Sequence, residues 1–239
     1  MHRHTRSVVD KVFEVWRSLG RFTKNPDMVR LPSGHLMLVY SDTDAHWSQE
    51  TQILTILASD DDGRSWYKFC EVDEADLRKG DERFVTPRLS LLKDERLVVL
   101  VDHDDRGHFH EDQPPGIWAY WSEDGGETWS GPQDTGIIGF EPDRVIDLPD
   151  GRLAVGSHVM LADDQEFAEV MSCSDDGGKT WYKAATIAYD GYHRFCEGAL
   201  VLLDDGDLAC VMRENLRSSF FLKTSSFLFR VLINCAMFV

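Results

Sequence analysis

Positive charge is scarce in this chain of 239 residues. Lys and Arg total 25 against 42 Asp and Glu, a formal net charge of −17. Nucleic acids and anionic bilayers attract basic surfaces, so neither is an expected partner. An acidic ligand is repelled at long range and needs a locally basic pocket. Cysteine is sparse too. Cys70, Cys173, Cys196, Cys210 and Cys235 show no metal-ligand spacing, and their odd number argues against a disulfide framework. No metal site and no cofactor are expected. No apolar core follows the basic stretch Met1–Arg6, so no secretory signal is read. The compartment stays open, cytoplasmic by default, and the oligomeric state stays open as well.

Long apolar runs are also missing, apart from the end of the chain. From Ser218 to Val239 there is neither glycine nor acid, and Lys223 and Arg230 interrupt a stretch only just long enough to span a bilayer. This segment reads as a broken reading frame rather than an anchor.

The sequence is rich in repetition. The pattern Ser-x-Asp-x-Gly-x-(Ser/Thr)-Trp occurs three times, at Ser59–Trp66, Ser122–Trp129 and Ser174–Trp181. Repeats of this kind decide the architecture. The chemistry of each box is that of a turn. Asp61, Asp124 and Asp176 can accept bonds from nearby backbone N–H groups, and Gly63, Gly126 and Gly178 tolerate positive φ. Trp66, Trp129 and Trp181 supply apolar anchors. The alternate acid spacing of a calcium loop is missing. The boxes therefore read as structural hairpin tips rather than catalytic or metal clusters. Strand-like segments precede them at Gln52–Ala58, Ile117–Trp121 and Glu169–Cys173.

A second hairpin signature interleaves with the first. Leu-x-(Asp/Ser)-Gly-x-Leu appears at Leu31–Leu36, Leu148–Leu153 and Leu203–Leu208, with a degenerate copy at Leu92–Leu97 that has Glu95 in place of glycine. Each period thus holds two hairpins, or four short strands, and tandem four-stranded units are the blades of a β-propeller. A β-sandwich does not require such a regular repeat. The predicted fold is all-β: three full antiparallel blades and the first hairpin of a fourth. At about 57 residues per blade, a six-bladed ring takes roughly 340 residues, so the chain reads as truncated. Residues 1–20 form an N-terminal segment in which Val8–Leu19 is a short helix or a ring-closing strand. Residues 21–217 form the incomplete propeller, and 218–239 the aberrant tail.

Both turn types fall at one end of each blade, so loops gather at the other end, where sites usually form. That end collects Lys24, Asp42, Asp44, His46, Trp47 and Glu50 from the first blade and Arg83 from the second. It also collects Glu141, Asp143 and His158 from the third blade, and Glu197 and Arg213 from the fourth. The fourth turn centres on Asp205, eight residues from both Glu197 and Arg213, so the two should face each other across the hairpin. The first centres on Ser33, nine residues from both Lys24 and Asp42, which pairs these in turn. Such pairs are either cross-strand ion pairs on a solvated edge or parts of a site. The segment Asp102–Asp112, with His103, His108 and His110, reads as a solvated acidic loop, with divalent-metal binding the less favoured reading.

The boxes, together with Glu197, the Leu203–Leu208 turn and Arg213 at this spacing, resemble the sialidase (neuraminidase) superfamily of six-bladed propellers. The resemblance covers roughly residues 20 to 215. It implies a glycoside hydrolase acting on terminal acidic sugars. Glu197 would activate a tyrosine nucleophile, and Arg213 would be one of three arginines gripping the substrate carboxylate. A guanidinium fork suits that group. The general acid would lie in the loop after the first hairpin, where Asp42, Asp44 and Glu50 are candidates and Asp44 is preferred. Where the family has its first arginine this chain has Lys24, which keeps the charge and loses the fork. The third arginine and the tyrosine belong to later blades, so this chain alone is expected to be inactive. The competing readings are a non-catalytic propeller that binds glycan or protein, and a propeller hydrolase or lyase for another acidic sugar.

Overall fold

The computed structural model describes residues 14–104, 115–160, 167–214, 221–223 and 230–233. The first blade runs β1 (Phe22–Arg30), β2 (Leu36–Thr43), β3 (Thr51–Ser59) and β4 (Tyr67–Asp76), paired antiparallel in that order. In the second blade the inner strand is split into β5 (Arg83–Phe84) and β6 (Arg88–Leu91), both pairing with β7 (Leu97–Asp104), followed by β8 (Gly116–Ser122) and β9 (Ser130–Ile138). The third blade is β10 (Ile146–Asp147), β11 (Leu153–Met160), β12 (Phe167–Ser174) and β13 (Tyr182–Ala188). The fourth begins with β14 (Phe195–Leu202) and β15 (Leu208–Glu214). Among the described residues no helix is long and apolar enough to cross a membrane.

The fourth sheet then departs from the pattern. Its order is β14, β15, β17 (Arg230–Ile233), β16 (Phe221–Lys223), and β17 runs parallel to β15. The open edge of β15 takes up this strand of the tail by backbone pairing. Most of the N-terminal segment, the loop around His108 and His110, and the rest of the tail lie outside the described residues.

Burial follows the period of two. Along β7, Leu97, Val99 and Val101 face the first blade, while Val98 and Leu100 face the third. The core is accordingly divided into three parts, one between each pair of adjacent blades. This is how a propeller buries sheets that cover each other face to face.

The two turn types share one end of each blade, as the repeats imply. Arg30 of the first hairpin reaches Asp62 of the first box at 2.5 Å, and Arg96 of the second blade reaches the Gly177 carbonyl at 3.0 Å. All three boxes are built alike. The aspartate takes the backbone N–H four residues on at 2.8–2.9 Å, and the hydroxyl of that same residue. The serine hydroxyl takes the N–H of the second glycine position, and the tryptophan indole donates to that residue's carbonyl. A Cβ on Gly178 would lie 2.5 Å from the Trp121 ring of the preceding blade, so glycine there allows blades to close on each other.

Candidate active site

Inner segments of all four blades line one central space, the channel. Near its mouth lies a cavity of about 490 Å³ bounded by Arg88, Glu141, Asp143, Arg144 and Glu197, with Asp27 of the first blade across from them. Backbone irregularities mark the inner strands here, and two of the residues concerned, Glu141 and Glu197, line the cavity. Asn25, Glu141 and Glu197 have φ of 53°, 43° and 54°, each shortly before its hairpin turn. Register shifts fall at two of them, between Lys24 and Asp27 and between Cys196 and Ala199. Bulges at such places redirect a side chain that regular pairing would hold in the sheet.

The bulges correct the pairing read from the turns. Arg213 lies opposite Cys196, not Glu197, because Glu197 and Gly198 together oppose the single residue Met212. The side chains meet nonetheless: Arg213 Nη1 donates to Glu197 Oε1 at 2.5 Å. In the first blade the expected pair does not form. Lys24 lies opposite Ser41 and Asp42 opposite Thr23. Asp42 instead accepts from Arg21 Nε at 2.5 Å, while Lys24 Nζ donates to the His46 carbonyl at 2.9 Å. Burial lowers the Lys24 pKa, partly offset by Asp102. Symmetry about the turn cannot reveal a bulge, so the shift was invisible in the sequence.

Around Glu197 and Arg213 is a group of perturbed acids. Glu141 is pushed up to about 7, first by loss of hydration and then by the nearby carboxylates of Asp102 and Glu197. Asp143 is raised by burial, although the Leu200 N–H donates to it at 2.6 Å. Asp102, fully enclosed, is raised for the same reason. His158 is lowered to about 4 by burial and by the Arg213 charge, so it is a neutral ring at physiological pH. Its Nδ1 lies 3.4 Å from the Glu197 N–H. Asp44 behaves oppositely. Desolvation raises it, but Ser48 Oγ and the N–H groups of Gln49 and Glu50 outweigh that and leave it lowered.

One residue at the centre was missed by sequence reasoning. Glu169, fully buried in β12, sits behind the bulge and accepts the Gly198 N–H at 3.3 Å. Burial lifts its pKa well above the usual carboxylate range, and its Oε1 has no partner among the described residues. A Cβ on Gly198 would lie 2.5 Å from this carboxyl, so the close approach needs glycine at 198. The available signal was an acid inside the otherwise apolar run Phe167–Met171. Among the described residues no group of three or more metal-type ligands gathers, and His103 stacks on Trp118 at 4.1 Å with its Nδ1 2.7 Å from Glu82.

Solved propellers share this frame. A protein of unknown function from Dyadobacter fermentans superposes with a TM-score of 0.67 at 18% identity, over 84% of this chain and 65% of that one. A Penicillium chrysogenum alpha-L-arabinanase, solved with arabinobiose, gives 0.64 at 12% identity, over 88% and 66%. A Hadza microbial sialidase gives 0.51 at 18% identity, over 79% and 39%. The chain thus spans between about two fifths and two thirds of these relatives. No curated protein matches it. Its repeated boxes and four-stranded blades agree with a family model for a BNR repeat-like domain that matches residues 79–226, and the chain belongs to that family.

Proposed function

We propose that the channel mouth is part of the active site of a glycoside hydrolase for terminal acidic sugars, of the exo-alpha-sialidase type. The observation that carries this reading is the Glu197–Arg213 pair beside Glu141. Arg213 offers a guanidinium fork to a sugar carboxylate, which supplies the locally basic spot that an acidic protein needs. Glu197 is the base that activates the nucleophile. A group with a pKa near 7 suits proton transfer at neutral pH, which favours Glu141 as the proton donor. Asp44 is less suited to that role, because the donors around it favour its ionised form. Lys24 and Asp42 belong in this reading to the walls of the sugar site. The solved sialidase and the sugar complexes among the structural relatives are consistent with carbohydrate as the ligand.

A second reading has one observation in its favour. Glu141 is raised by burial, then by Asp102 and then by Glu197, which places a second carboxyl within electrostatic reach of it. Two carboxyls, one protonated and one ionised, are the machinery of a glycosidase for a neutral sugar, with Glu197 as direct nucleophile. Titration with N-acetylneuraminic acid and with arabinobiose, followed by saturation-transfer NMR, separates the two. The acidic sugar is expected to bind, and Arg213→Ala to weaken it by about tenfold or more. Binding of arabinobiose alone would replace the first reading with the second. The 239-residue chain is expected to release no product from a fluorogenic sialoside. Release that Glu197→Gln abolishes would overturn that expectation.

A further inference from the structure

We propose that residues 44–50 form a preformed platform for a neutral sugar ring, with Trp47 and Phe22 as its stacking faces. Its place beside the channel makes it a seat for the sugar that follows the terminal one. That placement rests on the function proposed above; the binding of a ring by the platform does not.

Three rings stand on the first blade at the end away from its inner turn, Phe22 at the start of β1 and His46 and Trp47 just past β2. Trp47 is 62% exposed and Phe22 42%. The exposed His46 ring lies edge-on between them, 5.3 Å from Trp47 and 5.8 Å from Phe22. A single exposed aromatic needs no explanation, but a group mounted on a braced loop does. The bracing is extensive. Asp44 accepts the N–H groups of Gln49 and Glu50, each at 3.2 Å, and the Ser48 hydroxyl. Two cations, Lys24 and Arg83, are each more than nine-tenths buried, and each donates to a carbonyl of this loop, those of His46 and Ser48 at 2.9 and 2.8 Å. Burying a cation is costly. Here both hold in place a backbone whose His46, Trp47, Gln49 and Glu50 side chains are exposed.

A loop fixed in this way loses little conformational freedom on binding. Tryptophan offers a rigid apolar face, and the C–H face of a pyranose is its flat counterpart. Asp44, Gln49 and Glu50 edge the platform with acceptors for hydroxyl protons. The negative charge of Asp44 and Glu50 favours a neutral hexose over an acidic one. Asp102 lies within electrostatic reach both of Lys24, which holds this loop, and of Glu141 in the candidate site.

The test is an NMR titration of the nitrogen-15-labelled chain, with the Trp47 indole N–H identified by its loss in Trp47→Phe. Lactose, 3′-sialyllactose and N-acetylneuraminic acid are the probes. The Trp47 signal is expected to move with the two lactose-containing sugars and not with N-acetylneuraminic acid. Trp47→Ala, at an exposed position, should keep the parent melting temperature. It should weaken both lactose-containing sugars by about fivefold and leave N-acetylneuraminic acid unchanged. A Trp47 signal that stays still with both, or unchanged affinity in Trp47→Ala, overturns the platform. Loss of only the Arg213-dependent binding, with lactose still moving Trp47, supports the platform and overturns the function proposed for the channel.

Discussion

Acidic side chains meet two opposite fates in this molecule, and environment alone separates them. Asp61, Asp124 and Asp176 are each held down to about 2, chiefly by the hydroxyl and N–H of the residue four positions on. Glu141 is raised to about 7 by desolvation and by neighbouring carboxylates. This difference has a measurable sign. Between 4.5, the ordinary value of a glutamate, and about 7, the folded state keeps a proton that the unfolded chain releases. The folded state binds more protons in that window, so Glu141 makes stability fall as pH rises through it. His158 acts oppositely, since its lowered pKa removes stability as pH falls from 6.5 toward about 4. Urea unfolding of parent and Glu141→Gln at several pH values isolates the glutamate. The parent-minus-variant stability should decline between pH 4.5 and about 7 and level off beyond. A difference independent of pH would mean that Glu141 is ionised throughout. A Glu141 that titrates near 7 is also what either glycosidase reading requires.

Hairpin turns carry the fold, and they show what sequence could and could not reveal. Each inner hairpin closes with the same bond, from the N–H of Gly34, Glu95, Gly151 or Gly206 to the leucine carbonyl three residues earlier. The glycines have φ between 86° and 92°, and Glu95 is forced to 66° in the same place. A non-glycine residue pays a steric penalty there, so Glu95→Gly is expected to stabilise the protein by about 0.5–1 kcal/mol. Chemical denaturation measures it, and a destabilised variant would mean that Glu95 makes a compensating contact. Turn chemistry is local, and so the blades, their four strands and the box geometry were all legible in the sequence. The bulges were not. A bulge depends on what lies behind it, as Glu169 lies behind Glu197 and Gly198, and that contact joins residues in different blades. Glu197 with Arg213 survived the misread register because both side chains are long enough to meet across it. Lys24 with Asp42 did not, because Arg21 and the His46 carbonyl offered each a nearer partner.

Across the whole molecule, adjacent blades are joined at the channel by bonds from one inner strand to the next. The Asp27 carboxylate accepts the Leu89 N–H at 3.0 Å, the Ser90 hydroxyl the Val145 N–H at 2.8 Å, and the Asp143 carboxylate the Leu200 N–H at 2.6 Å. Units that contact only their neighbours behave as a chain of coupled repeats, whose cooperativity depends on such junctions. Asp27 does more than its counterparts, because Arg144 of the third blade also donates to it across the channel, with Nε 2.9–3.0 Å away. Truncating it leaves the Leu89 N–H without its acceptor and the Arg144 guanidinium without its carboxylate. Each loss costs about 1–3 kcal/mol where the group stays shielded, and less for the half-exposed arginine. Asp27→Ala is therefore expected to lower stability by about 2–3 kcal/mol, and Ser90→Ala, which removes one neutral bond, by about 1 kcal/mol. Urea unfolding followed by both tryptophan fluorescence and far-ultraviolet circular dichroism tests this. If Asp27 couples the first three blades, the two signals coincide in the parent and separate in Asp27→Ala. Equal small losses in both variants, with coincident transitions, would mean that the three packed cores alone hold the blades together.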